Sequence, residues 1–154
     1  MSPVYLDTSA LLKRYVAEVG SGWVNALLAD TAIPLFCISQ LAVVEATCAF
    51  ARRLRDGTLS PRMHAQVLLA FDYDCQCRYT LLDVVPVTIE TACILANKHP
   101  LRAYDAMHLA TAWLLSQELL RAGGQPLTFV SADDILLGIA HVEGLQAENP
   151  NHHP

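Results

Sequence analysis

Short apolar runs alternate with longer segments of helical periodicity along the whole chain. Each short run ends at a turn or capping residue, which is typical of a strand, whereas the longer segments carry apolar residues at helical spacing. Strands are predicted at residues 4–6, 35–38, 81–85, 127–130 and, at an edge, 145–148. Helices are predicted at residues 10–16, 23–28, 40–55, 61–78, 89–98, 104–121 and 133–141. Strands that alternate with helices predict an α/β fold, with a central parallel sheet of four or five strands covered on both faces.

The composition is that of one folded domain. The chain has 154 residues, of which 53% are hydrophobic and 16% charged, which excludes an intrinsically disordered protein and leaves no room for a second domain. We expect the domain over residues 1–148 and a polar C-terminal tail over residues 149–154, in which His152 and His153 are disordered rather than metal-binding. The chain has no long uncharged apolar run and no signal-peptide pattern at its start, so we expect a cytoplasmic protein without membrane contact.

Charge and cysteine content narrow the function classes further. Ten Lys and Arg against fifteen Asp and Glu give a net charge of −5, which opposes binding of nucleic acid by bulk attraction unless bound divalent cations reverse the local field. The five cysteines, an odd number at scattered positions, are expected to be reduced. Cys75 and Cys77 have no second Cys or His pair at zinc-site spacing, so we assign them no metal site.

Two aspartates follow predicted strands at positions where parallel sheets bind ligands. Asp7 comes directly after the first strand, and Asp133 follows the fourth strand across Ser131-Ala132. The carboxyl ends of parallel strands meet at one edge of a sheet, where helix starts expose backbone donors and ligands bind. Either aspartate alone is explained equally well as a helix N-cap, since Asp is favoured at helix starts.

Two further acids lie inside apolar helical segments. Glu45 is the only charged residue between positions 40 and 51, and Asp105 lies at the start of the apolar segment 103–120. A carboxylate in such surroundings must become neutral or find a partner, either an Arg in a structural salt bridge or a metal ion. His108 lies three residues after Asp105 on the same helical face, and we expect a hydrogen-bonded core histidine there rather than a ligand.

These four acids create an electrostatic problem if the fold brings them together. Two like charges about 4 Å apart repel by roughly 4 kcal/mol at an effective dielectric near 20. Magnesium or manganese resolves the repulsion, because hard oxygen ligands suit both ions and open positions remain for water and phosphate. Such an ion activates water and stabilises the charge that develops on a phosphate under attack. Cysteine and histidine are too sparse for a zinc site, so the prediction is an all-carboxylate site for Mg²⁺ or Mn²⁺.

Four blocks of the sequence resemble the PIN-domain family, and within it the VapC-type toxins of bacterial and archaeal toxin-antitoxin pairs. The most specific block is Tyr5-Leu6-Asp7-Thr8-Ser9-Ala10-Leu11-Leu12-Lys13-Arg14-Tyr15, followed by Glu18 and Gly20-Ser21. The others are Val43-Val44-Glu45-Ala46, Tyr104-Asp105-Ala106-Met107-His108-Leu109-Ala110-Thr111-Ala112 and Phe129-Val130-Ser131-Ala132-Asp133. The last block favours Asp133 over Asp134, because a hydroxyl residue precedes the acid by two positions there; Ser131 stands in place of the commoner threonine. The resemblance covers nearly the whole chain.

The resemblance implies a PIN-like three-layer α/β/α fold and a metal-dependent endoribonuclease that hydrolyses RNA phosphodiester bonds. It also implies a homodimer and inhibition by a small antitoxin protein. Carried over residue by residue, Asp7 and Asp105 are the principal metal ligands, and Glu45 and Asp133 are ligands or groups that orient water. Ser9 supports the ligands as an accessory residue, and Ser131 keeps the hydroxyl of the last block.

Two other functions fit parts of the pattern. A phosphatase or receiver-like phosphoryl-transfer domain also places an Asp after its first strand. A dehalogenase-like phosphatase has a second acid two residues later, however, where this chain has Ser9. The other alternative is a catalytically inactive PIN fold that serves only as a binding module, which the presence of all four acids opposes.

Several cations are candidates for phosphate contact. They lie near the first block and at the end of the predicted 40–55 helix, where a helix dipole also favours positive charge. We therefore expect a solvated surface there rather than a substrate site. These residues are Lys13, Arg14, Arg52, Arg53 and Arg55.

Overall fold

The computed structural model describes residues 1–153, which form five strands, seven α-helices and two short 3-10 helices. The strands are β1 (Val4–Leu6), β2 (Phe36–Ser39), β3 (Thr80–Leu82), β4 (Thr128–Val130) and β5 (Gln146–Glu148). The helices are α1 (Thr8–Leu11), α2 (Ser21–Ala29), α3 (Gln40–Arg55), α4 (Pro61–Cys77), α5 (Pro86–Lys98), α6 (Ala103–Arg121) and α7 (Asp134–Val142). The 3-10 helices are Leu12–Arg14 and Pro150–His152. Over the same residues, no helix is long and apolar enough to cross a membrane.

The strands form one parallel sheet in the order β3-β2-β1-β4-β5. β1 is the central strand, and Val4 is in register with Phe36 of β2 on one side and Thr128 of β4 on the other. The chain first extends the sheet away from β1 through β2 and β3, and later in the opposite direction through β4 and β5. The predicted α/β fold with a parallel sheet is confirmed, and β5 occupies the predicted edge.

Alternate strand residues enter two separate hydrophobic cores on opposite faces of the sheet. In β1, Val4 and Leu6 pack with α1 to α4, whereas Tyr5 packs with α5, α6 and α7. Val130 and Phe129 of β4 divide between the two cores in the same way. This alternation follows from the two-residue period of a strand. The result is the predicted three-layer α/β/α arrangement.

Capping residues fix the starts of α3 and α4 where the sequence predicts them. Ser39 caps α3 and Ser60 caps α4, each with a side-chain hydrogen bond to a backbone N–H of the first turn. Two boundaries differ from the prediction around residue 85. β3 ends at Leu82, and α5 already begins at Pro86. A proline suits this position, because its fixed φ matches a helix and its missing N–H would have no partner in the first turn.

The first helix starts earlier and is shorter than predicted. α1 is a single turn capped by Asp7, after which the chain tightens into the 3-10 helix Leu12–Arg14. Lys13 is buried there, and its Nζ donates to Glu18 Oε1 at 3.1 Å and to the Val19 carbonyl oxygen at 2.8 Å. The expectation of a solvated surface is therefore wrong for Lys13, whose ammonium is used inside the domain.

The C-terminal tail packs onto the domain, so the expected disorder of its histidines is wrong. Pro150 is buried, and the buried Asn149 donates from Nδ2 to Asp134 Oδ1 at 2.7 Å. The ring of His153 stacks on that of Trp23 in α2, with centroids 4.7 Å apart. Contacts with two different helices therefore hold a segment whose polar composition alone suggested no partner.

We expect Gly20→Ala to destabilise the fold more than Gly57→Ala. Both glycines have positive φ angles, +84° and +80°, so each substitution introduces about 1–2 kcal/mol of backbone strain. A Cβ at Gly20 would in addition lie 2.5 Å from the Pro150 carbonyl oxygen, whereas one at Gly57 would meet no atom within 4 Å. The melting temperatures and urea midpoints of the two variants measure the difference. Equal losses of stability would contradict the packing of the tail against Gly20.

Candidate active site

The carboxyl ends of β1 and β4 bring two distant chain segments together. Leu6 is in register with Val130, and the Asp7 backbone N–H donates to the Val130 carbonyl oxygen at 3.0 Å. Asp7 and Ser131 are therefore in contact, although they are 124 residues apart in sequence. Both acids that follow strands, Asp7 and Asp133, emerge at this edge.

Asp7 is a buried carboxylate that accepts three hydrogen bonds. Ser9 Oγ donates to Oδ1 at 2.7 Å, the Ala10 N–H donates to Oδ1 at 3.0 Å, and Ser131 Oγ donates to Oδ2 at 2.7 Å. Burial nevertheless raises the pKa of Asp7 above its usual value, because the nearby His108 ring and these hydrogen bonds offset only part of the desolvation. Asp7 thus caps α1, but its charge is held in an unfavourable environment.

Ser9 and Ser131 connect the two segments that meet at Asp7. Ser9 Oγ accepts from the Ala132 backbone N–H at 2.9 Å, and Ser131 Oγ accepts from the Asp133 backbone N–H at 3.1 Å. Each hydroxyl also donates to a different oxygen of Asp7, so each serves as donor and acceptor at once. The two serines therefore fix the orientation of the Asp7 carboxylate.

Asp105 and Asp133 lie within electrostatic reach of this carboxylate. Burial raises the pKa of Asp105, and the negative charges of Asp133 and Asp7 raise it further. Asp133 also caps α7, because its Oδ1 accepts from the backbone N–H groups of Ile135 and Leu136. Two of the other predicted acids therefore act unfavourably on the charge of Asp105 at one edge of the sheet.

The neighbouring Asp134 is engaged by the C-terminal tail instead. Its Oδ1 accepts from Asn149 at 2.7 Å and lies 3.3 Å from Nε2 of His152. Of these two neighbouring acids, Asp133 is the one whose charge raises the pKa of Asp105. This geometry is consistent with the preference for Asp133 over Asp134 in the sequence.

Glu45 reaches the site from α3 and is held by two side chains. Thr8 Oγ1 donates to Glu45 Oε1 at 2.9 Å, and His108 Nε2 lies 2.5 Å from the same oxygen. Burial raises the pKa of Glu45, but its interactions with His108 and Thr8 outweigh that effect and leave the pKa below its usual value. The partner of this carboxylate is thus an imidazole rather than the Arg of a structural salt bridge. The charge of His108, the partner of Glu45, also acts on Asp7 and Asp105.

His108 is the hydrogen-bonded core histidine that the sequence predicted, but its partners were missed. Its Nδ1 lies 2.8 Å from the Tyr5 hydroxyl, and its Nε2 contacts Glu45. The sequence pattern identified Tyr5 only as a strand residue and Thr8 only as part of a helix start. One signal could have indicated Tyr5 as a partner: it is buried, and the hydroxyl of a buried tyrosine usually has a hydrogen-bond partner.

The donor chemistry of this edge fits a divalent cation of the magnesium class. Its acids offer hard carboxylate oxygens, and a bound cation would counteract the raised pKa values of Asp7 and Asp105. As the side chains stand, no three His, Cys, Asp or Glu residues in the range 1–153 are grouped closely enough to hold a metal ion. Direct ligation by several of these acids would require the half-buried Asp105 or the exposed Asp133 to turn towards Asp7.

Most arginines considered for phosphate contact are paired or solvent-exposed. Arg14 pairs with the buried Asp74 at 3.5 Å, and Arg53 pairs with Glu18 at 3.3 Å. Two further arginines, at the end of α3, are exposed, as expected for a solvated surface: Arg52 and Arg55. None of these contacts directs an arginine to the carboxylates described above.

Comparison with known proteins gives a family and a fold. The family model described as PIN domain matches residues 4–136. A search of curated proteins found no match. Among solved structures, the crystal structure of FitAcB from Neisseria gonorrhoeae is 18% identical, with a TM-score of 0.68 over 97% of this chain and 99% of that chain.

Two further solved structures have the same fold. The crystal structure of PAE2754 from Pyrobaculum aerophilum is 17% identical, with a TM-score of 0.57 over 99% of this chain and 92% of that chain. A toxin-antitoxin complex from Klebsiella pneumoniae is 18% identical, with a TM-score of 0.60 over 97% of this chain and 98% of that chain. At these identities the likeness extends to the fold alone.

We expect Asp7→Asn to stabilise the metal-free protein at neutral pH, and this gain to shrink on acidification. The pKa of Asp7 is raised on folding. Its contribution to the stability of the folded state is therefore fully present only below the unfolded-state pKa of about 3.9. That contribution is lost as the pH rises through the higher folded-state value. The free energy of unfolding in chelator, from urea titrations between pH 4 and pH 8, measures the difference between variant and wild type.

Glu45→Gln is the matched control, and its effect on the free energy of unfolding at neutral pH should have the opposite sign. The pKa of Glu45 is lowered on folding, so its carboxylate stabilises the fold above about pH 4.3, and this contribution is lost as the pH falls through the folded-state value. We therefore expect Glu45→Gln to be destabilising at pH 7 and nearly neutral in acid. An Asp7→Asn variant less stable than the wild type at pH 7 would contradict the conclusion that the buried charge of Asp7 is unfavourable.

Proposed function

We propose, from the premise that this chain belongs to the PIN-domain family, that it is a metal-dependent endoribonuclease that hydrolyses RNA phosphodiester bonds. Family membership supports a hydrolase that acts on nucleic acid. RNA as the substrate and Mg²⁺ or Mn²⁺ as the cofactor are our proposal, as is the assignment of a catalytic and metal-binding set. That set is Asp7, Glu45, Asp105 and Asp133.

The observation that carries this proposal is the charge on the buried Asp7 beside Asp105. Three hydrogen bonds do not restore the usual pKa of Asp7, and the charges of Asp7 and Asp133 raise the pKa of Asp105. A divalent cation relieves both effects, and carboxylate oxygens are the ligands that Mg²⁺ and Mn²⁺ prefer. Such a cation also offsets the overall charge of −5 where a phosphate would dock.

The contacts of each residue indicate its part in hydrolysis. Asp7, oriented by Ser9 and Ser131, would hold the cation together with Asp105. When bound, Mg²⁺ or Mn²⁺ supplies positive charge that lowers the pKa of water and offsets the charge gained by the phosphate. Glu45, ionised through its lowered pKa, orients the attacking water and accepts its proton. The water oxygen bonds to phosphorus as the bond from phosphorus to the leaving ester oxygen breaks.

Two alternatives are less well supported. In a dehalogenase-like phosphatase the second residue after the first aspartate would be an acid, whereas here Ser9 occupies that position and donates to Asp7 at 2.7 Å. A catalytically inactive PIN-fold binding module would have no need to keep charged groups in mutual repulsion. The raised pKa of Asp105 beside Asp133 therefore favours an active nuclease over a binding module.

We further propose that the chain is the toxin of a type II toxin-antitoxin pair. One structural neighbour, from Klebsiella pneumoniae, is a toxin-antitoxin complex, and the likeness covers 97% of this chain and 98% of that chain. The VapC-type resemblance of the sequence blocks supports the same assignment. A small antitoxin protein is then the expected partner, and a homodimer is the expected assembly.

We expect Asp7→Asn and Asp105→Asn each to lower RNA cleavage by at least about 100-fold, since each removes a charge from the cation site. Cleavage of total RNA by purified protein in Mg²⁺ or Mn²⁺, with chelator as the metal-free control, measures this loss. Asp133→Asn should also lose activity. Asp134→Asn is its matched control and should cleave like the wild type, because this acid is bound by the C-terminal tail.

Unchanged cleavage by both Asp7→Asn and Asp105→Asn, each with a cooperative melting curve, would refute the assignment. Activity kept in Asp133→Asn but lost in Asp134→Asn would transfer the role of the fourth acid to its neighbour. A wild-type protein that cleaves no RNA with any divalent cation would favour the binding module.

We expect Mn²⁺ to raise the melting temperature of the wild type but not that of Asp7→Asn. A ligand at one hundred times its Kd stabilises the folded state by about 2.7 kcal/mol. Calorimetric melting with and without Mn²⁺ measures the shift. Equal shifts in the two proteins would place the ion away from Asp7.

A further inference from the structure

We propose that His108 is a positioning residue of this site, which with Tyr5 and Thr8 holds the Glu45 carboxylate in one orientation towards the cation and its water. The inference rests on the proposed function, because the consequence of this orientation is tighter binding of the cation. His108 itself contacts neither substrate nor cation in this proposal.

The imidazole of His108 is held at both of its nitrogens inside the protein. Nδ1 lies 2.8 Å from the Tyr5 hydroxyl, and Nε2 lies 2.5 Å from Glu45 Oε1. The His108 side chain is only 3% exposed, so water cannot readily replace either partner. The ring therefore cannot turn without leaving buried polar atoms unpaired, which is unfavourable.

The direction of the hydrogen bond to Glu45 is fixed by chemistry. An ionised carboxylate only accepts hydrogen bonds, so Nε2 carries the hydrogen and donates to Oε1. This holds whether Tyr5 or Nδ1 provides the hydrogen of the other bond. Thr8 Oγ1 donates to the same Oε1 at 2.9 Å, so neither bond engages the second oxygen, Oε2.

Tyr5 gives this arrangement a rigid support. It lies in the central strand β1, is fully buried, and stacks on Phe129 with ring centroids 5.7 Å apart. Its ring also meets that of His108 edge to face, with centroids 6.0 Å apart. The position of the Tyr5 hydroxyl is thus set by the sheet, and it in turn sets the position of His108.

Glu45 does not need His108 for its own solvation. Glu45 is partly exposed, with 25% of its side chain accessible, so water could solvate the carboxylate without an imidazole. His108 instead uses a buried donor to restrain a carboxylate at the edge of the site. Residues that orient ligand side chains in this way typically change metal affinity by about 10–100-fold when replaced. The geometry therefore points to a role exerted through Glu45.

The test compares Mn²⁺ affinity in three variants of the full chain without RNA. His108→Leu removes the donor, His108→Gln offers an amide N–H in its place, and Tyr5→Phe removes only the supporting hydroxyl. The electron paramagnetic resonance signal of free Mn²⁺ gives the dissociation constant. We expect about 10–100-fold weaker binding for His108→Leu, a smaller loss for Tyr5→Phe, and recovery of most of the affinity in His108→Gln.

A double-mutant cycle separates positioning from a general effect on the fold. In the Glu45→Ala background, His108→Leu should weaken Mn²⁺ binding no further, because its target carboxylate is gone. An equal loss in both backgrounds would overturn the proposal. Wild-type affinity in a folded His108→Leu variant would overturn it as well. If His108→Leu does not melt cooperatively, Tyr5→Phe decides the question in the same two backgrounds.

The wild type and Asp7→Asn distinguish a failure of this inference from a failure of the proposed function. Mn²⁺ binding that is lost in Asp7→Asn but kept in His108→Leu would leave the nuclease proposal standing and remove the role of His108. A wild-type protein that binds no Mn²⁺ would overturn both.

Discussion

The parallel pairing of β1 with β4 is the constraint on which the site depends. Since Leu6 and Val130 are in register, the chain leaves both strands at the same edge, and Asp7 meets Ser131 there through a 2.7 Å hydrogen bond. After β1 the chain continues into α1, which packs in one hydrophobic core, and after β4 it continues into α7, which packs in the other core on the opposite face of the sheet. A crevice between two such loops is where open α/β sheets bind ligands. The location of the acids is thus a consequence of topology before any chemistry is considered.

The identity of the residue at position 7 cannot be explained by topology or capping alone. Two other helices, α3 and α4, are capped by the neutral side chains of Ser39 and Ser60. A serine at position 7 would offer the same kind of cap without desolvating a charge, whereas Asp7 keeps a raised pKa despite three hydrogen bonds. An unfavourable charge that a simpler residue would avoid indicates a function outside folding. The proposed cation provides that function.

The sheet and most helices could be predicted from the sequence, and the four acids could be identified as candidates, because these signals are local. Apolar runs that end at capping residues define the strands, and Glu45 stands out as an isolated charge in an apolar helix. The roles of Tyr5 and Thr8 could not be found in this way, since the partner of a hydroxyl depends on how α3 and α6 pack against β1. The ordered tail has the same cause, because it depends on the tertiary contact between His153 and Trp23.

The environments of the acids divide them into two groups that suit different roles. Burial raises the pKa of Asp7 and Asp105, whereas for Glu45 the interactions with His108 and Thr8 outweigh burial and lower it. Titratable groups whose pKa values are pushed apart commonly divide the tasks of an active site. In the proposed nuclease, Asp7 and Asp105 are the groups that gain most from a cation, and Glu45 is the candidate proton acceptor. Because α6 carries both Asp105 and His108, a shift of this helix would alter the proposed cation site and the orientation of Glu45 together. The two groups are therefore linked through α6.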